Sequence, residues 1–277
     1  MKDAQATLAA LVEIAREASG IVEAVYAEPF EVDYKGPKDP VTEADRRANT
    51  LICERLEGRF PGVPVVAEES APEAFAGFHK AERVFFVDPL DGTREFVKRN
   101  GEFAVMIGLL DGERASIGVI HAPTEDTSFG GIVGEGAWRF SADGSRTPVG
   151  VSEQEVLRQA RVVASRSHRS DMMERALAVL GAGEIITLGS AGLKGVAVAR
   201  GDAEAYVAPG YAGKRWDACA ADALVSAAGG RFTDAYGKPI DYRGERLAND
   251  QGVVATNGRL HDAFLGRLAA ARQEQGL

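Results

Sequence analysis

The sequence predicts an α/β protein, α+β in its first half and alternating strand and helix in its second. Three observations carry that prediction. Residues 4–62 hold two stretches with helical spacing of apolar residues, and residues 63–133 hold five short β-rich segments separated by Gly, Pro and Asp turns. After residue 155, strand-like and helix-like segments alternate to the end, and no internal repeat or low-complexity tract interrupts them.

In order along the chain, Leu8, Leu11, Val12 and Ala15 follow helical spacing and predict an amphipathic helix from residue 4 to about 27. EVDYKGPKDP, residues 31–40, is rich in turn formers and reads as a polar loop. A second helix should start near Thr42: Thr42 and Asp45 have capping-box spacing, and Ala48, Leu51, Ile52, Arg55 and Leu56 then share one face. Pro61 and Gly62 end it. VPVVAEE, RVFFVD, FAVMIGLL, ASIGVIHA and SFGGIV follow as strands. SADGSRTPVGVSEQE, residues 141–155, is polar and turn-rich, and suggests a division into an N-terminal α+β domain, 1–150, and a C-terminal α/β domain, 151–277. Beyond it come RVVAS, a helix near 170–180, EIITL, a helix near 191–200, AEAYV, a helix from 217, RFTDA, VVAT and a last helix from 259.

Composition narrows the function. The chain has 277 residues, 45% of them apolar and 26% charged, as expected of a soluble globular protein with a sizeable core. Its longest apolar stretch, Phe103 to Leu110, is far shorter than the roughly 20 residues a membrane span needs. The start, MKDAQATLAALVEIARE, breaks its apolar positions with acids, unlike a secretory leader, so the expectation is a cytoplasmic protein with no membrane span. Cys53 and Cys219 fit neither a disulfide framework nor a zinc pattern and are expected to pack in the core. A net charge of -9 without runs of Lys or Arg argues against a nucleic-acid polymer as partner. An anionic substrate would then need a local reversal of the field.

VFFVDPLDGTREF, residues 84–96, supplies the means for such a reversal. Val84 to Val87 is too apolar to face water, so Asp88 at its end is costly to bury unless something cationic meets it. Asp88 and Asp91, three apart across a turn stiffened by Pro89 and tightened by Gly92, suit a hard cation such as Mg²⁺. Thr93 adds a hydroxyl, and the amides of Gly92 and Thr93 could meet an anion. Taken alone, DPLDG is equally an ordinary turn, Asp217 in KRWDACA a helix cap, Glu68 in VVAEES a solvated strand end, and Asp45 the closing residue of a capping box. Acids at three separate strand or helix termini are better explained by one shared metal site.

KDPVTEAD (38–45), AEES (67–70), DPLDGT (88–93) and WDACAADALVSAAGG (216–230), in that order, resemble the inositol monophosphatase superfamily of metal-dependent, lithium-sensitive phosphatases. The resemblance implies a layered αβαβα sandwich of the inositol monophosphatase/fructose-1,6-bisphosphatase type. It also implies two or three Mg²⁺ ions held by Glu68, Asp88, Asp91, Asp217 and the carbonyl of Leu90, with Asp88 shared. Glu68, Thr93 and Asp45 would then orient the attacking water, while one ion activates it and another neutralises the leaving oxygen.

TREFVKRNGEFAVMIGLL (93–110) is similar to the CysQ-like 3′(2′),5′-bisphosphate nucleotidases, which act on 3′-phosphoadenosine 5′-phosphate. SRSH (165–168), GSAGLK (189–194) and PGYAGKRWD (209–217) agree with that likeness, although GSAGLK carries one residue more than the GSSLK form of bacterial members. By the same likeness Ser165, His168, Ser190 and Lys194 would contact the substrate, Lys194 offering a point charge to a second phosphate. Inositol-1-monophosphatase and fructose-1,6-bisphosphatase activities are the alternatives within the superfamily, and a non-catalytic metal-binding regulator is the alternative outside it. Haloacid-dehalogenase phosphatases differ in spacing, because their DxDGT acids lie two apart and the first is a nucleophile. The expected partner is a small phosphorylated molecule, and the expected assembly a monomer or homodimer.

Overall fold

The computed structural model describes residues 4–36 and 39–275. It opens with α1 (Ala4–Ala27), whose Leu8, Leu11 and Ile14 are each at most 1% exposed. Burial of each such side chain contributes about 1.5–3 kcal/mol. EVDYKGPKDP is not a loop: β1 (Val32–Gly36) and β2 (Asp39–Thr42) pair as an antiparallel hairpin with Tyr34 opposite Pro40. Pro37 and Lys38, which belong to that stretch and to the KDPVTEAD motif, lie outside the described residues. β1 is polar and mostly exposed while Pro40, Val41 and Thr42 of β2 are buried, and ion pairs from Asp33 to Arg46 and from Lys35 to Glu68 tie the hairpin down, which turn propensity does not register.

The capping box forms as the spacing predicts. Asp45 accepts from the Thr42 N–H at 2.7 Å at the start of α2 (Glu43–Arg59). A sheet of seven strands follows in sequence order: β3 (Val65–Ala67), β4 (Arg83–Asp91), β5 (Ala104–Asp111), β6 (Arg114–Ala122), β7 (Thr127–Ile132), β8 (Gly136–Phe140) and β9 (Arg146–Val149). β3 and β4 are parallel and the rest antiparallel, while the one-turn helix α3 (Thr93–Val97) joins β4 to β5. β9 falls inside the turn-rich stretch 141–155 and pairs with β8, so that stretch closes the first sheet. Arg146 lies over the Trp138 ring at 4.8 Å, a pairing between strands that local composition hides.

The second sheet has the order β11-β10-β12-β14-β13. It comprises β10 (Arg161–Ser165), then, after α4 (Asp171–Leu180), β11 (Glu184–Leu188), and, after α5 (Ala191–Ala199), β12 (Ala205–Ala208). After α6 (Arg215–Ala227) come β13 (Arg231–Thr233), β14 (Val253–Thr256) and α7 (His261–Gln275). α6 starts two residues before Asp217, because Lys214 is the residue that caps it.

The layers are α1 and α2, the seven-stranded sheet, α5 and α6, the five-stranded sheet, then α4 and α7, an αβαβα sandwich. Phe85, Val87, Val105, Ile107 and Val119 face α1 and α2, whereas Phe86, Met106, Ile120 and Phe129 face the middle helices. Cys219 is buried in that middle layer and Cys53 is half-buried on α2. No helix among the described residues is long and apolar enough to cross a membrane.

One row of glycines decides where α6 lies. Gly108, Gly118 and Gly131 are register partners across β5, β6 and β7 on the face toward α6. A Cβ on Gly118 would stand 2.2 Å from the Ala220 carbonyl oxygen, and one on Gly108 would stand 2.6 Å from the Ala220 nitrogen. The bare backbone makes a trough in which α6 rests, with its N-terminus directed at the end of β4.

Candidate active site

In a regular strand Asp88 and Asp91, three apart, would point to opposite faces of the sheet. Here Asp88 pairs with Met106 and Asp91 with Ala104, so three steps on β4 match two on β5. The extra residue is a β-bulge at Pro89–Leu90, and it returns both carboxylates to one side. Proline suits the bulge because the ladder asks nothing of its missing N–H. The Leu90 N–H donates to Asp88 Oδ1 at 3.0 Å, locking the turn.

Asp217 arrives from the other half of the chain, on the first turn of α6, where its Oδ2 accepts from the Lys214 N–H at 2.6 Å. Gly213 must be glycine, since a Cβ there would lie 2.4 Å from Asp217 Oδ2. Asp88, Asp91 and Asp217 each bring a carboxylate oxygen within 4.8 Å of the others. Glu68, at the end of β3, lines the same cavity but is not in that close group. Its Oε1 accepts from Lys35 Nζ at 2.7 Å, and the same ammonium reaches Glu69 at 2.7 Å.

Burial raises the Asp88 pKa well above the ordinary carboxylate range, and the charges of Glu68, Asp91 and Asp217 push it the same way. Asp217 is raised for the same reasons, burial first and then Glu68 and Asp91. Such a group is costly to ionise together unless a cation joins it. The donors are all carboxylate or carbonyl oxygens, which suit a hard divalent ion such as Mg²⁺.

Thr93 Oγ1 lies 3.0 Å from Asp45 Oδ1 and 3.1 Å from the Leu90 carbonyl oxygen, its one proton shared between them. Asp45 Oδ2 accepts from the Thr42 N–H and hydroxyl, each at 2.7 Å. Burial pushes the Asp45 pKa up to about 6, against the pull of its Thr42 hydrogen bonds. Asp45 therefore serves the capping box with one oxygen and faces the site with the other. Gly92, in a left-handed conformation, caps α3 and accepts from the Glu95 and Phe96 amides.

The acids form one wall of a cavity of about 400 Å³, and residues of the second sheet form the other. Ser165 Oγ accepts from the His168 N–H at 3.0 Å and lies 3.5 Å from His168 Nδ1. Burial lowers the His168 pKa, and the charges of Arg94 and Lys194 lower it further. Ser190, with a φ of 59°, turns its hydroxyl back to Asp91 Oδ2 at 2.5 Å and accepts from the Leu193 N–H at 2.9 Å. The Gly192 N–H adds a second bond to that carboxylate oxygen at 2.7 Å. Ser190 is thus engaged with a predicted metal ligand, and its hydroxyl has no spare proton for a substrate.

Lys194 is 3% exposed; its ammonium donates to the Ser190 carbonyl at 2.6 Å and sits 5.1 Å from the Tyr206 ring centroid. Burial lowers its pKa, while Asp91 and Glu95 act in the opposite direction. Sequence reasoning missed Lys35, which grips Glu68 across 33 residues, and Glu95, a buried acid lining the cavity. Lys35 carries no local signal, but Glu95 sits two residues beyond the DGT turn, an acid beside a metal motif in the sequence itself.

The chain matches the inositol monophosphatase family over residues 3–276. The 3′(2′),5′-bisphosphate nucleotidase CysQ of Escherichia coli O157:H7 is 38% identical over 235 residues, covering 83% of this chain and 91% of that protein. Among solved structures, the extragenic suppressor protein SuhB of Bartonella henselae superposes with a TM-score of 0.83 at 26% identity, covering 99% of this chain and 100% of that one. CysQ of Bacteroides thetaiotaomicron, described as a bacterial member of the inositol monophosphatase family, gives 0.78 at 27% identity, covering 93% of this chain and 99% of that one.

Proposed function

The chain belongs to the inositol monophosphatase family and is a phosphoric monoester hydrolase; from that premise we propose that it is a Mg²⁺-dependent 3′(2′),5′-bisphosphate nucleotidase acting on 3′-phosphoadenosine 5′-phosphate. Glu68, Asp88, Asp91, Asp217 and the Leu90 carbonyl would hold two or three ions. When bound, the ions supply positive charge to the phosphate and lower the pKa of a water.

The chain's own residues account for the rest. The acid cluster draws a cation and so reverses, in one place, the negative field of a protein with net charge -9. Thr93 would orient the attacking water. A proton leaving that water can pass to Thr93 Oγ1 as the Thr93 proton moves to Asp45 Oδ1, 3.0 Å away. Asp45 is suited to receive it, because a pKa of about 6 lies near the working range of a general base. Gly92 and Thr93 line the cavity at the start of α3, and their amides would meet the phosphate there.

Lys194 is the observation that carries the choice of substrate. It is a buried lysine lining the same cavity as the acids, so the cavity offers a cation for a second phosphate that an inositol monophosphate lacks. Ser165 and His168, on the same side, would meet the nucleoside. The likeness to two proteins named CysQ supports the same choice.

Phosphate release from 3′-phosphoadenosine 5′-phosphate, inositol 1-phosphate and fructose 1,6-bisphosphate, with Mg²⁺ and with or without Li⁺, tests it. The bisphosphate nucleotide should have the highest kcat/KM and Li⁺ should depress its turnover. Faster release from inositol 1-phosphate contradicts the assignment.

A further inference from the structure

We propose that Glu102 is a positioning residue that clamps both substrate-side loops to the metal-binding turn and thereby sets the preference for a second phosphate, an inference that rests on the bisphosphate reading above. Glu102 stands between a tight turn and the fully buried Phe103, so its backbone is held by the first sheet. Its carboxylate accepts three bonds from the second half of the chain. Arg166 donates through Nε to Oε2 at 2.7 Å and through Nη2 to Oε1 at 2.6 Å, and the Gly189 N–H donates to Oε2 at 2.7 Å. The arginine fork is the strong, directional form of such a contact.

The two segments it seizes carry the four substrate-side residues. Arg166 lies between Ser165 and His168, and Gly189 directly precedes Ser190 on the approach to Lys194. Arg166 also donates to the Thr187 carbonyl at 2.8 Å, which joins the ends of β10 and β11. A parallel grip comes from α3, where Arg94 donates to the Ser167 carbonyl at 3.1 Å and Lys98 to its hydroxyl at 2.8 Å, while that hydroxyl donates to Glu95.

The joint leaves no slack. A Cβ on Gly92 would lie 2.8 Å from the Glu102 carbonyl oxygen, and one on Gly189 would lie 2.4 Å from Glu95 Cγ and 3.0 Å from Glu102 Cβ. The metal turn, α3, Glu102 and the Ser190 turn therefore meet with only hydrogen atoms between them. A phosphate held by the acids alone needs one wall of the cavity. A bisphosphate must reach both walls, so their separation becomes part of its binding.

The test is steady-state kinetics with Mg²⁺ on 3′-phosphoadenosine 5′-phosphate and on inositol 1-phosphate, which has neither a nucleoside nor a second phosphate for the clamped segments to meet, for the wild type, Glu102→Ala, Glu102→Gln and Arg166→Ala. Glu102→Ala should lower kcat/KM for the bisphosphate about tenfold through KM, with kcat and the monophosphate reaction within about twofold of wild type. Glu102→Gln, which keeps an acceptor for Gly189, should lose less. Arg166→Ala, at a half-exposed position the core does not need, should repeat the KM shift even if Glu102→Ala folds poorly. Equal losses on both substrates, or an unchanged preference in all three variants, overturn the clamp. A wild type that shows no preference for the bisphosphate refutes the substrate reading itself and removes the clamp with it.

Discussion

Asp91→Asn should give a folded protein whose kcat/KM with Mg²⁺ falls about a thousandfold. The asparagine keeps an oxygen for the Ser190 hydroxyl and the Gly192 N–H, so the contact that anchors the turn survives while the charge is lost. Without metal the variant should melt no lower than wild type, because the Asp91 charge is among those that hold Asp88 and Asp217 out of their ordinary carboxylate range. Mg²⁺ should raise the melting temperature of the wild type and barely move that of the variant. Near-normal turnover would remove Asp91 from the metal site.

Gly118→Val should be the most damaging change remote from the chemistry. Its Cβ would press on backbone, 2.2 Å from the Ala220 carbonyl oxygen, and no flexible side chain is there to yield. Overpacking of this kind costs about 1–3 kcal/mol, a loss of several degrees in melting temperature for a chain of this size. α6 can relieve it by lifting from the trough, which withdraws Asp217 from Asp88 and Asp91, so kcat/KM should fall about a hundredfold beyond the stability loss. Gly20→Ala on α1, where a Cβ meets nothing within 4 Å, serves as the control and should leave activity unchanged. Wild-type melting and turnover in Gly118→Val would show that α6 does not depend on the trough.

Much of this fold is legible in the sequence where a physical rule acts locally. The helical period of Leu8, Leu11, Val12 and Ala15, the Thr42–Asp45 box and the apolar run into Asp88 each belong to an element of the expected kind. The acids at strand and helix ends mark the site in the sequence because burying a carboxylate is costly without a partner. What stayed hidden was set by distant partners. β1 is polar, and its hairpin with β2 is pinned by Lys35 reaching Glu68 and Glu69. β9 forms within a turn-rich stretch because β8, just before it, supplies its ladder.

The bulge that turns Asp88 and Asp91 to one side appears only in the register against β5. Ser190 reads as a residue facing substrate, yet its hydroxyl closes on Asp91, 99 positions earlier in the chain. Glu102 is an unremarked acid in NGEF until Arg166 and Gly189, 64 and 87 positions away, converge on it. Spacing along the chain identifies the groups that can do chemistry, while the contacts that aim them depend on tertiary structure.

Anomalous X-ray scattering from crystals grown with Mn²⁺ in place of Mg²⁺ tests the central claim most directly. Strong peaks should appear ringed by oxygens of Asp88, Asp91 and Asp217, with Glu68 and the Leu90 carbonyl completing the shell. Carboxylates standing apart, with no scattering between them, would contradict the metal-dependent account.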